Sequence, residues 1–136
     1  MTSESIAFEK EGKCDYAEAV RRVTEALKLE GFGILTRIDV HDALKEKIDV
    51  DFRSYTILGA CNPPLAHRAL SAVPEVGLML PCNVTVEERD GGGSVVRIAN
   101  PLLMMQTGGF EDDERLQVVG QEAYDRLERV AESLEL

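Results

Sequence analysis

The sequence predicts an α+β domain with a mostly antiparallel sheet of about five strands, helices packed on one face, and a long C-terminal helix. Three observations lead to this prediction. Two strand-like segments flank a glycine-rich run at 89–93, an arrangement typical of a β-hairpin. Apolar residues recur at helical spacing at 16–27 and at 116–134. Between these segments, short strand and helix signals alternate, which favours one sheet covered by helices on one side.

The first strand and the first helix are predicted close to the start of the chain. Residues 5–9 suit a short strand, and the run at 10–15 supplies turn residues. Asp15 is expected to cap the helix that follows, with Glu18 three positions later as in a capping box. Gly31 fits the left-handed position that ends such a helix. The buried face of this helix is predicted to consist of Tyr16, Val20, Val23 and Leu27.

A second strand and a short helix are predicted next. Residues 32–38 contain the apolar strand candidates Phe32 and Ile34. Asp39 follows them and can cap a short helix that runs through about Ile48. This pair continues the alternation of strand and helix.

A third strand and a third helix follow in the same way. The segment at 53–60 is β-branched and aromatic enough for a strand. Asn62 then stands where an N-cap belongs. Pro63 and Pro64 fall in the first helical turn, where a missing N–H costs little, and the helix is predicted to end near Ser71.

A hairpin and a long helix complete the predicted fold. Strands at 77–88 and 94–100 are joined by the glycine-rich run, which supplies the positive φ angles of a tight turn. The acidic segment from Glu111 favours a helix start. Gly120 interrupts this helix and is expected to mark a close crossing over the sheet. The apolar face of the helix is predicted to contain Leu116, Val119, Ala123, Leu127, Val130 and Leu134.

The chain is predicted to form a single domain over residues 1–136, because this length buries a sizeable core without disulfides or metal. A ferredoxin-like arrangement is the nearest alternative. The strands around 34–38 and 55–59 could be neighbours, or another strand could lie between them.

The charge balance excludes two classes of partner. The chain has 25 acidic and 15 basic side chains, a formal net charge of -10. Such a surface repels nucleic-acid phosphates and anionic lipid head groups, so neither nucleic acid nor membrane is an expected partner. The N-terminal residues do not form a signal sequence, and three cysteines make an odd count without a disulfide framework. A soluble cytoplasmic protein with reduced thiols is therefore expected.

Two stretches carry a resemblance to a known family. They are YTILGACNPPLAHRALSAVPEVGLMLPCNVTVEE at 55–88 and RIANPLLMM at 97–105. These runs resemble the domain of unknown function 302 family, most specifically from Phe52 to Met105 and more loosely from residue 15. The resemblance implies a compact α+β domain that occurs alone or fused to others. It implies no chemistry and no catalytic residue, because no activity defines the family.

The candidate site contains two Cys-Asn pairs. Cys61 and Asn62 end the third predicted strand, and Cys82 and Asn83 follow Pro81 within the next one. Proline cannot donate to a strand ladder, so Pro81 must lie at a bulge, a strand start or an edge. We expect a kink at Pro81 that turns Cys82 and Asn83 toward Cys61 and Asn62. These five residues are the predicted ligand-binding positions, while the alternative for the cysteines is that they are small buried apolar residues.

The sequence contains no catalytic set and no metal-ligand spacing. His41 and His67 lie on separate short helices without a Cys-x-x-Cys partner, so no zinc site is predicted. Cysteine thiolates with Met104 and Met105 would suit a cuprous ion. No cofactor can be named. We therefore expect an uncharacterised domain, more plausibly non-enzymatic than an enzyme, that binds a small ligand or its own copy as a homodimer. The alternative is a thiol-based redox or soft-metal-binding protein that uses Cys61 and Cys82.

Overall fold

The computed structural model describes residues 5–136 and contains five strands and five α-helices within that range. The strands are β1 (Ala7–Gly12), β2 (Gly33–Asp39), β3 (Tyr55–Cys61), β4 (Cys82–Glu88) and β5 (Ser94–Ala99). The helices are α1 (Tyr16–Leu29), α2 (Val40–Ile48), α3 (Pro63–Ala72), α4 (Pro101–Met104) and α5 (Glu114–Ser133). Two 3₁₀ turns, at Pro74–Met79 and Phe110–Asp112, complete the chain.

The strands form one antiparallel sheet with the order β1-β5-β4-β3-β2. The α+β prediction is confirmed, including the number of strands and the long C-terminal helix. Strands β2 and β3 are direct neighbours, so no strand lies between them as the ferredoxin-like alternative would allow.

The main core lies between the sheet and the two longest helices, α1 and α5. Most of the predicted apolar positions of both helices face it: Val20, Val23 and Leu27 of α1 are buried here, and so are Leu127, Val130 and Leu134 of α5 or its end. Tyr16 is half-buried against this core, while Leu116, Val119 and Ala123 are buried in a second cluster. Fully buried sheet residues meet them from β3, β4 and β5, namely Leu58, Val84, Val86, Val96 and Ile98. Helical and strand periodicities in the sequence therefore identify the residues that meet in this core.

A second, smaller cluster of buried residues lies between α3 and α5. It also takes in the first 3₁₀ turn and the residue that follows α4, and its members are Leu65, Ala69, Val76, Met105, Leu116, Val119 and Ala123. We call this group the α3–α5 cluster. It matters for function because an open space adjoins it.

Residues directly next to the helices determine where several of them begin or end. Asp15 caps α1 by accepting a hydrogen bond from the Glu18 N–H at 2.8 Å, as predicted. Gly31 takes φ 85° just after this helix. Asp39 stands at the N-cap of α2, but its carboxylate accepts from Arg37 Nε at 3.0 Å and Thr56 Oγ1 at 2.9 Å instead of capping the helix. This contact holds the pKa of Asp39 below its usual range, chiefly through the Arg37 hydrogen bond.

Two predicted boundaries are wrong. Residues 10–12 are not a turn: β1 continues to Gly12, which pairs with Ser94 at the far end of β5. Residues 77–80 are not a strand: they belong to or follow the first 3₁₀ turn, where the Leu80 N–H donates to the Gly77 carbonyl at 3.2 Å. Since Pro81 has no N–H to give to the ladder, regular pairing starts one residue later, at Cys82.

The predicted hairpin is confirmed. Strands β4 and β5 pair from Val84 opposite Ile98 to Glu88 opposite Ser94. The connecting glycines at 91, 92 and 93 all have positive φ, which a side chain would disfavour.

Candidate ligand cavity

A cavity of about 360 Å³ lies where β3 runs into α3, next to the α3–α5 cluster. Its walls come from the end of β3, α3, the first 3₁₀ turn, the start of β4, α4 and α5. Among residues 5–136, the side chains that line it include no Asp, Glu, Lys, Arg or His. Representative wall residues are Phe32, Leu65, Val76, Met104, Val119 and Ala123. The cavity is therefore an apolar space within reach of solvent.

Four of the five predicted site residues lie at this cavity. Cys61, Asn62, Pro81 and Cys82 line it, although they are about twenty residues apart in the chain. Strand pairing brings them together, because Cys82 is opposite Ala60 in the β3–β4 ladder. Pro81 comes immediately before β4. We call the change of chain direction at this strand start the Pro81 corner.

Asn83 does not join the other four. It is exposed and is opposite Gly59 in the ladder. Successive residues of a strand point to opposite faces, and Val84 shares the buried face with Cys82. Asn83 therefore points away from the helices, and the cavity wall does not include it.

Asn62 has a structural task at the cavity wall. Its Oδ1 accepts from the Leu65 N–H at 3.2 Å, and its Nδ2 donates to the Glu30 carbonyl at 3.4 Å. The side chain thus joins the start of α3 to the end of α1 while its residue stays buried. Its role as N-cap is confirmed, and ligand binding by Asn62 stays a prediction.

Helix α4 forms one side of the cavity and was not predicted from the sequence, although Met104 and Met105 were named there as possible ligands of a cuprous ion. Pro101, Met104 and Met105 belong to α4 or follow it. A signal was present: Asn100-Pro101 repeats the Asn62-Pro63 pair, and Asn100 likewise caps its helix by accepting from the Leu102 N–H at 3.0 Å.

Gly120 also lies at the cavity wall, on α5. A Cβ at this position would be 3.0 Å from Met105 Cγ. The close approach expected at Gly120 is therefore made to the segment after α4, whereas the prediction placed it over the sheet. This glycine lets α5 and that segment pack closely around the cavity.

The two cavity cysteines are neighbours on paired strands but are not aligned for a disulfide. All three cysteines of the chain are free thiols. Cys61 is one residue past Ala60, the partner of Cys82, and the strand pleat directs adjacent residues to opposite sides. A disulfide requires its two Cβ atoms to face each other, so a direct Cys61–Cys82 bond would need backbone movement.

The Cys82 thiol is the most perturbed group at the cavity. Its pKa is raised from 9.0 to about 11, chiefly by burial among apolar side chains and to a smaller extent by the nearby Cys61. Desolvation has this effect because it penalises the thiolate and leaves the neutral thiol unaffected. At neutral pH Cys82 is consequently a protonated, weakly nucleophilic thiol.

This raised pKa predicts a loss of stability at alkaline pH. The folded protein holds the Cys82 proton more tightly than the unfolded chain, so the contribution is constant below about pH 9 and is lost as pH rises toward 11. Cys82→Ala should lack this loss. The measurement is urea unfolding of both proteins from pH 8 to pH 10.5, followed by circular dichroism. A difference in unfolding free energy between the two proteins that does not change with pH would contradict the assignment.

Within residues 5–136, no group of three or more His, Cys, Asp or Glu side chains is placed to hold a metal ion. His41 makes a local contact instead, since its Nδ1 accepts from the Tyr55 N–H at 3.1 Å. That histidine ties α2 to the start of β3.

Comparison with known proteins agrees with the fold and the sequence motifs. The model of the family described as "Domain of unknown function DUF302" matches residues 8–134. The chain belongs to this family. The fold is similar to the crystal structure of an uncharacterised conserved DUF302 protein from Bacillus stearothermophilus, with a TM-score of 0.83 and 28% sequence identity. The similarity covers 96% of this chain and 98% of that one. No curated protein matches the chain.

Membership in the DUF302 family confirms the resemblance seen in the sequence and extends it over almost the whole chain. It assigns no chemistry to the cavity. Across residues 5–136, no helix combines the length and apolar character needed to cross a membrane.

Proposed function

We propose that this DUF302 chain is a non-enzymatic module that holds a small apolar ligand in the cavity beside the α3–α5 cluster. The observation that carries the proposal is the cavity itself, with a volume of about 360 Å³ and walls made of apolar side chains. Ligand pockets in proteins usually measure about 300–1,000 Å³ and are lined mainly by hydrophobic groups. Protein interiors otherwise contain few voids larger than a water molecule.

The wall chemistry defines the class of ligand. A charged group inside the cavity would lose its hydration without gaining an ionic partner, which is strongly unfavourable. The enclosed part of the ligand is therefore uncharged. Met79, Met104 and Met105 give the wall flexible, polarisable side chains that adapt to different shapes and favour contact with aromatic rings. An engineered apolar cavity of about 150 Å³ already binds benzene, so this larger space suits a ligand of two fused or linked rings.

The thiol-redox alternative has less support. A redox or transferring cysteine reacts as the thiolate, whereas burial keeps Cys82 protonated at neutral pH. Its neighbour Cys61 is offset from it by one residue in the ladder. Both thiols instead contribute small, weakly polar surface to the cavity, as free cysteines commonly do.

Binding of an uncharged fluorescent probe tests the proposal. N-phenyl-1-naphthylamine becomes fluorescent when it leaves water, and it should bind saturably with one probe per chain. Ala66 lies on α3 and lines the cavity, so the Ala66→Trp variant should fill the space and abolish the fluorescence increase. Ala17→Trp is the matched control, since Ala17 is exposed on α1 away from the cavity.

Two outcomes of this titration would count against a binding cavity. One is fluorescence that rises linearly without saturation; the other is equal probe binding by the native protein and by folded Ala66→Trp. Thermal unfolding serves as the second measurement, because a ligand that binds only the folded state raises the midpoint temperature. That shift should occur with the native protein and with Ala17→Trp, and should be absent with Ala66→Trp.

Self-association, the other expectation from the sequence, has a separate basis. Ile38 and Phe52 are large apolar side chains that stay about half exposed, at 50% and 46%. Ile38 is opposite Ile57 in the β2–β3 ladder, and the Phe52 ring lies 6.2 Å from the Tyr55 ring. Contiguous exposed apolar residues of this kind often mark contact surfaces. Sedimentation equilibrium measures the mass that decides between monomer and dimer.

A further inference from the structure

Sulfur atoms are concentrated at the cavity. The chain has three cysteines and four methionines. Five of these side chains line the one cavity, namely Cys61, Met79, Cys82, Met104 and Met105. They come from β3, the first 3₁₀ turn, β4, α4 and the residue after α4, so separate parts of the chain contribute them. Of the remaining two, Cys14 is packed beside the main core, and Met1 lies outside the described residues.

We propose that Cys82 and the methionines of this group form a binding site for one soft monovalent metal ion, of the class of cuprous copper. Cys61, which the strand pleat directs to the other side, is not required as a ligand. Thiolate and thioether sulfurs together are ligands that favour Cu(I), while hard ions favour oxygen ligands. The cavity wall offers no charged oxygen or imidazole group among the described residues. The ligand set therefore selects against the hard ions Mg²⁺ and Ca²⁺.

Charge balance favours this ion in an apolar cavity. Binding replaces the proton of one thiol: the S–H bond breaks, a sulfur–metal bond forms, and one proton leaves to solvent. A monovalent cation with one thiolate is electrically neutral, and the other sulfurs can bind as neutral thiol or thioether. A neutral centre avoids the large penalty of burying net charge. A divalent cation with one thiolate would keep a positive charge in the same space.

Cys82 is the residue assigned to the thiolate role. It faces the buried side of the sheet together with Val84, and Cys61 follows the partner position of Cys82 on β3. A bound cation reverses the effect of desolvation on a thiol, because the positive charge stabilises the thiolate directly.

The test is an anaerobic titration of the reduced protein with Cu(I) against the chromogenic chelator bicinchoninate. We expect one Cu(I) per chain and release of about one proton at pH 7, measured with an indicator in weak buffer. Cys82→Ser should lower the affinity by more than the roughly 10–100-fold that loss of an outer-shell partner costs. Cys14→Ser is the matched control and should bind as the native protein does. Replacing Met79, Met104 and Met105 together with leucine keeps the volume while removing the thioethers, and should also weaken binding.

Three results would overturn the proposal. The first is failure of the native protein to compete with the chelator. The second is an equal loss of affinity in Cys14→Ser and Cys82→Ser. The third is unchanged affinity in the triple leucine variant, which would mean that the methionines are only filler. The metal site and the apolar-ligand proposal fail separately, because N-phenyl-1-naphthylamine binding needs the space and not the sulfurs, and it should persist in Cys82→Ser. Circular dichroism of each variant verifies that it is folded.

Discussion

Replacing Gly59 with alanine should lower the free energy of unfolding by roughly 1–3 kcal/mol, the usual cost of overpacking a filled site. A loss of stability is unusual for this substitution, because exchanging glycine for alanine at a compatible position stabilises a protein by about 0.4–1 kcal/mol. At Gly59, however, a Cβ atom would be 2.2 Å from Thr36 Oγ1 and 2.7 Å from Pro81 Cγ. Urea unfolding followed by circular dichroism measures the effect.

The two neighbours of Gly59 respond differently to this added atom. The Thr36 side chain is on the edge strand β2 and can rotate, but the Pro81 ring is rigid and part of the corner that leads into β4. Relieving the clash between the added Cβ atom and the Pro81 ring therefore requires the Pro81 corner to move. Since Pro81 and Cys82 line the cavity, Gly59→Ala should also weaken binding of N-phenyl-1-naphthylamine. Adding Thr36→Ala should restore part of the stability, because it removes the closer of the two clashing atoms.

Gly33 provides the matched control. It lies on β2 opposite Cys61, close to Gly59, and a Cβ at Gly33 would meet no atom within 4 Å. Gly33→Ala should be neutral or slightly stabilising. If Gly33→Ala and Gly59→Ala destabilised the protein equally, the loss would reflect strand geometry in general, and the packing of Pro81 over Gly59 would not be its cause.

The sequence allowed prediction of the features that depend on neighbouring residues. The hairpin around 89–93 and the apolar faces of α1 and α5 were predicted because glycine turns and helical periodicity are local signals. The prediction at 77–80 failed because an apolar run bounded by glycine and proline fits a strand or a 3₁₀ turn equally well. The hydrogen bond from the Leu80 N–H to the Gly77 carbonyl distinguishes the 3₁₀ turn from a strand.

The candidate site was predictable only in part. A proline that must stand at a strand start, beside a Cys-Asn pair, indicated that the corner at Pro81 would meet the end of β3. The opposite wall of the cavity comes from α4 and α5, whose position over that corner depends on packing between distant segments. The separation of Asn83 from Cys82 follows from strand alternation. It could have been predicted, because adjacent residues of any strand point to opposite faces.

Asn62→Ala should destabilise the protein by roughly 1–3 kcal/mol, because it removes an N-cap and leaves a buried donor without its partner. The first two residues of α3, Pro63 and Pro64, have no N–H to satisfy. The Ala66 N–H already donates to the Asn62 carbonyl at 2.9 Å. The Leu65 N–H is thus the donor that depends on the Asn62 side chain, at 3.2 Å.

Asn83→Ala is a control with the same chemical change at the second Cys-Asn pair. Asn83 is exposed, so its removal should alter the free energy of unfolding by no more than about 0.5 kcal/mol. Loss of the hydrogen bond from Asn62 to the Glu30 carbonyl would not explain a difference between the two variants. That carbonyl also accepts from Arg126 Nη1 at 3.2 Å and keeps this donor when Asn62 is replaced. Similar urea midpoints for the two variants would show that the capping bond to Leu65 contributes little. A large loss in Asn62→Ala alone would show that the two asparagines, alike in sequence context, have different roles: Asn62 caps α3, whereas Asn83 is an exposed strand residue.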